Sequence, residues 1–215
     1  MKRILAIETS GELCGVALIQ NGKVVAEKNI LLPKNSSSKI FDIIENVTKK
    51  DSKLDAVAVD IGPGSFTGTR IGVSLARAYG QFLKLPVIGI SSLDCMVFNA
   101  LKQKNIKGMI FPVIDALRCE VYTAGYEGQR RISEYRIISI DKLTKMSDKK
   151  TVVVCGKKIF KKNPVGRCIA VDITASAVGL LAWDKLSKNK KYSYDRVLPL
   201  YLRRAFAEDR NERAK

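Results

Sequence analysis

One stretch constrains the fold more than any other, because between residues 56 and 84 the chain passes from a strand through a glycine turn into a helix. The apolar run at 56–59 is typical of a buried strand, and a glycine-proline-glycine turn at 62–64 follows it. Either Ser65 or Thr67 is placed to cap the helix. Such a helix start directs unpaired backbone N–H groups outward, which favours anions. The glycine spacing and the lack of a lysine in the turn nevertheless exclude a Walker A loop.

Small residues recur at every fourth position of this helix and would form one flat stripe that another backbone can approach closely. They are Gly68, Gly72, Ala76 and Gly80. An apolar strip runs beside them through Ile71, Leu75, Tyr79 and Phe82. Because each glycine costs about 1 kcal/mol relative to alanine in a helix, packing must offset the stripe. Two interpretations stay open: the stripe packs on the protein's own sheet or helix, or it packs on a helix of a partner.

The segment at 38–50 predicts a second amphipathic helix. Cap-type serines precede it, and its apolar side chains keep the i, i+3, i+4, i+7 spacing of one helix face. These side chains are Ile40, Ile43, Ile44 and Val47. Upstream of this helix, Asn21 and Gly22 stand between two apolar runs, which is a strong signal for a β-hairpin.

Composition excludes several classes of protein. The chain contains no histidine, which excludes Ser-His-Asp and Cys-His catalysis and any imidazole-ligated metal within it. Its formal net charge of +17 favours a polyanion such as nucleic acid as a partner, although a solvated basic surface would give the same total. The cysteines form no C-x-x-C pair and mostly stand in apolar surroundings, so we expect reduced core residues at Cys14, Cys95, Cys119, Cys155 and Cys168.

Neither a signal peptide nor an apolar run long enough to cross a membrane stands out in the sequence. We therefore expect a cytoplasmic protein.

The second half of the chain indicates a degenerate internal repeat. An apolar strand again ends in an acidic residue, and Asp115 follows Glu8 at nearly the same distance along the chain as Gly128 follows Gly22. Further strands and helices follow in the same alternation, including a short helix through Ile159. The pattern predicts an α/β protein built from two similar lobes.

The repeat places an N-terminal lobe at 1–104 and a smaller, more divergent C-terminal lobe at 105–215, with a polar tail from 205 that frays. A cleft is expected between the lobes, and acid-bearing turns from the two strand ends would face each other across it, as in nucleotide-binding proteins of this architecture. The same residues are also common turn formers. They are Glu8, Thr9, Ser10 and Asp115.

Four groups of residues taken together resemble the TsaB (YeaZ) family. They are LAIETS at 5–10, GPGSFTGTRIG at 62–72, IDA with EVY at 114–122, and PLYLR at 199–203. The match spans nearly the whole chain, and the glycine-rich segment is its most specific part. Several positions depart from the family pattern and weaken an intact nucleotide site: Glu8 in place of the usual aspartate, Thr69 in place of a larger apolar residue, and Leu117 and Cys119 within the second acidic motif.

The resemblance implies a two-lobed actin, Hsp70 and sugar-kinase-like (ASKHA) fold with duplicated ribonuclease H-like lobes. It also implies a role in making N6-threonylcarbamoyladenosine (t6A) at position 37 of tRNAs that read codons beginning with A. TsaB is the non-catalytic paralogue in that family, whereas TsaD binds a metal through an H-x-x-x-H motif and transfers the threonylcarbamoyl group. The missing histidines fit the first role, so we expect neither a catalytic centre nor a metal or cofactor in this chain.

The resemblance further implies partners. TsaB docks on TsaD through a bundle made from two N-lobe helices of each chain, which correspond here to 38–50 and 66–84, and the ATPase TsaE joins the assembly. We expect tRNA to bind weakly and mainly through the complex, and a homodimer could use the same helices. The residues expected to face the partner are Ile40, Ile43, Ile44, Val47, Gly68, Gly72, Leu75, Ala76, Tyr79 and Gly80.

Two other functions compete with this scaffold role. One is an ATP-binding phosphotransferase-like enzyme of the same superfamily, with Glu8 and Asp115 as metal-facing carboxylates. The other is a stand-alone nucleic-acid binder, which the charge alone favours. A peptidase has no nucleophile and base pair in this sequence to support it.

Overall fold

A computed structural model describes residues 2–31, 39–48, 53–147, 150–156, 167–188 and 191–203 of the protein. The first half contains β1 (Arg3–Glu8), β2 (Leu13–Gln20), β3 (Lys23–Leu31), α1 (Lys39–Thr48), β4 (Ala56–Asp60), α2 (Phe66–Leu83), β5 (Val87–Ile90) and α3 (Ser92–Gln103). The second half contains β6 (Met109–Asp115), β7 (Glu120–Thr123), β8 (Tyr126–Glu127), β9 (Arg130–Arg131), β10 (Arg136–Ser139), α4 (Ile140–Met146), β11 (Val152–Cys155), β12 (Arg167–Ala170) and α5 (Ala175–Leu186), and a 3-10 turn at Tyr194–Arg196.

The two halves build two sheets with the same strand order. The first runs β3-β2-β1-β4-β5 and the second β10-β7-β6-β11-β12, with the short β8–β9 hairpin attached beside β6. In each sheet the early strands pair antiparallel and the later strands pair parallel. The repeat predicted from the sequence is therefore confirmed at the level of topology. Gly128, however, turns the extra β8–β9 hairpin, so its match to Gly22 does not mark equivalent turns.

The local predictions for the first half hold closely. Asn21 and Gly22 join β2 to β3 and both have positive φ, 49° and 75°, as the tightest two-residue hairpin turn requires. The two predicted helices form as α1 and α2. The helix predicted through Ile159 and the tail from 205 lie outside the described residues.

Strand β1 lies at the centre of the first sheet, and its residues from Ile4 to Glu8 are buried. Helices α1 and α2 cover one face of this sheet, where their apolar residues share a core with the strands. Helices α3 and α5 contribute to the core on the opposite face. Helix α3 also packs on β6, so it connects the two sheets. On this face of the sheet, the sides of α1 and α2 that do not contact the strands point away from the sheet.

Helix α5 belongs to the second half of the chain yet packs mainly on β1 and β2 of the first sheet. Val178 and Ala182 are fully buried there, and the Cβ of an alanine at Gly179 would lie 2.4 Å from Ile19. Helix α5 therefore packs with the first sheet, although the predicted division at 104 assigns its residues to the C-terminal lobe.

None of the five cysteines forms a disulfide. The expectation of core thiols is confirmed for Cys14, Cys95 and Cys155, which are buried, but it is wrong for Cys119, which is exposed in the turn after β6, while Cys168 is half-buried. Among the described residues, no helix combines the length and the apolar character needed to cross a bilayer.

Candidate functional site

The start of α2 is fixed against the turn that follows β1. Ser65 caps the helix, and its side chain accepts a hydrogen bond from the Gly68 N–H at 3.2 Å. The Ser65 N–H in turn donates to the Ser10 carbonyl at 2.8 Å, and the Thr9 hydroxyl donates to the Gly68 carbonyl at 2.7 Å. Two adjacent residues of one turn therefore hold the first turn of α2 in place.

The small-residue stripe of α2 faces the chain's own strands. A Cβ at Gly68 would lie 1.9 Å from the Thr9 carbonyl oxygen, and one at Gly72 would lie 2.3 Å from the Thr9 hydroxyl oxygen. At Gly80 the added carbon would lie 2.4 Å from Val87 of β5. As predicted, the stripe lets another part of a backbone approach the helix closely. That backbone belongs to the protein's own sheet and the turn after β1, and not to a partner helix.

The residues expected to face a partner are consequently not available in the described structure. Those on α1 belong to the core, with exposed fractions from 1% at Ile40 to 5% at Val47. On α2, Gly68 and Tyr79 are half-buried and the others are buried. The buried members are Ile40, Ile43, Ile44, Val47, Gly72, Leu75, Ala76 and Gly80. The assignment of these faces to a partner needs correction, because a helix packed on a sheet by this face presents the opposite one.

The opposite face of α2 is exposed and has its own four-residue spacing. Its members are Phe66, Arg70, Ser74, Ala78 and Phe82. Phe82 is 87% exposed and Phe66 is 53% exposed, and Phe41 on the neighbouring α1 is 57% exposed. Exposed aromatic side chains that share one helix face make that face a candidate contact surface. Sequence reasoning missed this surface, although the same i, i+4 pattern was visible one step around the helix.

The acidic end of β1 meets the acidic end of β4. Glu8 and Asp60 are the last residues of these two parallel strands, in which Ile7 pairs with Val59. Both acidic side chains are fully buried. Asp60 was not among the predicted site residues. The available signal was that two apolar strands, 56–59 and the run before Glu8, each end in an acid, and parallel neighbours place such ends together.

The Glu8 carboxyl group shapes the turn after β1. Its Oε1 accepts hydrogen bonds from the backbone N–H groups of Ser10 and Gly11, each at 2.7 Å, and contacts the Ser10 hydroxyl at 3.0 Å. Burial raises the pKa of Glu8 well above its ordinary value, and the negative charge of Asp60 adds to the rise.

The Asp60 carboxyl group joins β4 to the start of α3. Its Oδ1 accepts from the Gly62 N–H at 2.6 Å and from the Ser92 hydroxyl at 2.7 Å. The Ser92 oxygen lies 3.0 Å from that of Ser10, which closes a ring of polar groups around both carboxyls. Burial raises the pKa of Asp60, while hydrogen bonds from Glu8, from Ser92 and from the Gly62 N–H oppose the rise.

The predicted nucleotide-facing residues differ in their exposure and in their hydrogen-bond partners. Glu8, Thr9 and Ser10 are buried beneath α2, with exposed fractions of 0%, 8% and 3%. Asp115 is exposed at the end of β6 in the other sheet, where its Oδ1 accepts from the Leu117 N–H at 2.7 Å. Glu8 therefore meets Asp60, not Asp115. Across the part of the chain that the structure describes, no three histidine, cysteine or acidic side chains are grouped to hold a metal ion.

Comparison with protein families gives a match over residues 33–203 to the family described as TsaD, tRNA N6-adenosine threonylcarbamoyltransferase. The tRNA threonylcarbamoyladenosine biosynthesis protein TsaB of Bacillus subtilis is 35% identical over 135 residues, which are 61% of this chain and 58% of that protein. The chain thus spans just over half the length of this relative. TsaB of Buchnera aphidicola from Schizaphis graminum is 34% identical over 176 residues, 74% of this chain and 82% of that protein.

Among solved structures, YeaZ from Pseudomonas aeruginosa superposes with a TM-score of 0.81 at 21% identity, covering 94% of this chain and 100% of that one. At this identity the likeness shows the fold. Together with the repeated sheet order, it confirms the predicted α/β fold with two similar lobes.

Proposed function

Because the chain belongs to the TsaB (YeaZ) family, we propose that it is a non-catalytic subunit of the machinery that makes threonylcarbamoyladenosine in tRNA, acting in the cytoplasm. Its role is to bind a TsaD paralogue and hold it in an active form, with a TsaE ATPase joining the assembly. The modified base is adenosine 37 of tRNAs that read codons beginning with A. The absence of histidine supports the non-catalytic role, since the metal-binding H-x-x-x-H motif of TsaD has no counterpart here.

The exposed face of α2 carries this proposal, and it replaces the inward stripe as the docking surface. Ser74 and Ala78 are small and exposed at the middle of the helix, with Phe66 and Phe82 at its two ends. A second helix can approach the small centre closely while the aromatic ends fill pockets in the partner. Phe41 of α1 is exposed on a helix that covers the same face of the first sheet as α2, so it offers a further aromatic contact to the partner.

The buried acids support a scaffold over the competing phosphotransferase. A phosphotransferase of this fold needs a carboxylate that reaches a nucleotide-bound cation in the cleft. Glu8 is fully buried and its Oε1 is occupied by the turn after β1. The net charge of +17 supports a weak, salt-sensitive contact with tRNA that becomes useful within the complex.

Titration of the chain with the TsaD paralogue of the same organism, followed by calorimetry and by mass measurement of the complex, tests the proposal. Ala78→Arg places a long charged side chain at the centre of the exposed face and should abolish binding. Gln103→Arg adds the same charge at an exposed position of α3 and should bind like the parent chain. Equal binding by both variants would place the interface elsewhere, and a self-dimer lost in Ala78→Arg would show that this face pairs two copies instead.

A further inference from the structure

The Glu8 and Asp60 carboxyl groups each have one oxygen that the surrounding donors leave out. Glu8 Oε2 and Asp60 Oδ2 are buried and receive no hydrogen bond from any N–H or hydroxyl group. The two groups nevertheless lie at the ends of neighbouring parallel strands, and the hydroxyl groups of Ser10 and Ser92 connect them. Two ionised carboxylates are strongly disfavoured in such a buried position, because both the loss of hydration and their mutual repulsion oppose it.

Something positive must therefore lie between them. Within the described residues neither carboxyl forms an ion pair with a lysine or arginine, and no cluster of three or more candidate ligands surrounds them. A proton needs no such shell. It converts the two uncompensated oxygens into one donor and one acceptor.

We propose that Glu8 and Asp60 form a proton-binding site that holds one shared proton at neutral pH. One of the two carboxyl groups carries the proton, and the other stays ionised. Donors from the two turns and from α3 satisfy the other oxygen of each carboxyl, so the unpartnered oxygens are the ones left to bind the proton.

The two thiols around the site stay neutral near neutral pH. Burial, together with the charge of Glu8, raises the pKa of Cys14 on β2 to about 12. Burial and the charges of Asp60 and Glu8 raise the pKa of Cys95 on α3 well above its ordinary value, with Asp94 adding to the rise and Lys185 of α5 opposing it. The Lys185 ammonium group is directed to the Gly89 carbonyl at 3.2 Å. The shared proton is thus the group in this cluster that responds to pH.

The proton matters for α2. Glu8 fixes the turn whose next two residues hold the helix start, through the Thr9 hydroxyl and the Ser10 carbonyl. Loss of the proton would create two adjacent buried charges at the base of that turn. We expect the turn and the first turn of α2 to loosen together at alkaline pH.

The sign of the effect follows from the raised pKa of Glu8. Between the unfolded and the folded pKa, the folded chain binds one more proton than the unfolded chain, so stability falls as pH rises. One extra proton changes the unfolding equilibrium constant by about tenfold per pH unit in that window. The contribution is complete below the unfolded pKa of glutamate and is lost once the pH exceeds the folded value.

Carbon-13 NMR of the side-chain carboxyl groups in the full chain tests the site directly. One carboxyl resonance of the parent chain should titrate far above the range of an ordinary glutamate, and it should disappear in Glu8→Gln. Glu134→Gln removes a carboxylate that is 96% exposed and should leave that titration unchanged. Two carboxyls that both ionise in the ordinary acidic range would overturn the proposal, as would a titration that moves downward with magnesium and leaves magnesium bound after dialysis.

Denaturant unfolding between pH 6 and pH 9 gives a second readout. Glu8→Gln keeps a neutral donor in place of the protonated acid. We therefore expect the unfolding equilibrium constant of this variant to lack the rise of about tenfold per pH unit that the parent chain shows. An unchanged pH slope in Glu8→Gln would contradict the shared proton. If this variant does not fold, the NMR titration of the parent chain still decides the question.

Discussion

The Arg70 Nε donates a hydrogen bond of 2.8 Å to the Tyr201 hydroxyl, which joins the exposed face of α2 to the last described segment of the chain. The Arg70 guanidinium also stacks 3.7 Å from the centre of the Phe66 ring. A backbone hydrogen bond of 2.7 Å from Leu200 to the Ile61 carbonyl and an ion pair between Arg203 and Glu120 hold the same segment. The segment therefore bridges elements from both sheets, and Arg70 fixes it beside the proposed docking surface.

A double-mutant cycle at Arg70 and Tyr201 should show a measurable coupling. Tyr201→Phe removes the hydroxyl and keeps the ring, so the cycle with Arg70→Ala isolates the hydrogen bond. We expect a coupling of about 0.5–1.5 kcal/mol in the free energy of unfolding, the usual range for such a contact. Arg130→Ala, an exposed arginine on β9, serves as the control and should show no coupling to Tyr201→Phe. Additive effects of the two primary substitutions would contradict the bridge.

Gly68 should be the glycine of α2 that least tolerates alanine. The added carbon would meet a backbone oxygen of the turn after β1 at 1.9 Å, and a backbone atom cannot move aside as a flexible side chain can. We expect Gly68→Ala to lower the free energy of unfolding by about 1–3 kcal/mol in spite of the better helix propensity of alanine. Ser74→Ala, on the exposed face of the same helix, should be neutral or slightly stabilising in urea unfolding. Equal stability of both variants would mean that the close approach is absent.

The elements of this fold could be predicted where their signals are local. Asn21 and Gly22 specify a tight turn by backbone conformation alone, and the cap at Ser65 needs only its own helix. The orientation of α2 could not be predicted, because a flat stripe of small residues fits a sheet of the same chain as well as a partner helix. The burial of that stripe is a property of the packed tertiary structure.

The polar site shows the same limit. Glu8 was identified as a site residue, but its partner is chosen by the parallel pairing of β1 with β4, which joins positions 52 apart in the sequence. The backbone conformation of the turn after β6 could not be predicted from the sequence either. Leu117, Arg118 and Cys119 all have positive φ, from 55° to 63°, although none of them is glycine. Strained backbone of this kind follows from surrounding contacts that the sequence does not display.

Thiol reactivity should separate the five cysteines. The thiolate is the reactive species, and burial raises the pKa of Cys14 to about 12 and of Cys155 to about 11. Cys119 is exposed, so we expect a fast phase of about one thiol with a coloured disulfide reagent at neutral pH, and slow release of the buried thiols only on unfolding. Cys119→Ser should remove the fast phase, and a fast phase that survives in this variant would show that another thiol is accessible.

Phe82 should contribute most to partner binding at the smallest cost to stability. At 87% exposure its ring packs against little of its own chain, so Phe82→Ala should change the free energy of unfolding by no more than about 0.5 kcal/mol. An aromatic anchor that becomes buried in a partner's pocket typically supplies about 2 kcal/mol or more of binding energy, and its removal lowers the affinity about 30-fold. Leu117→Ala removes a side chain that is 67% exposed in the turn after β6, and this variant should bind the TsaD paralogue normally. Calorimetry that finds both variants equally weakened, or neither weakened, would exclude Phe82 as the anchor of this surface.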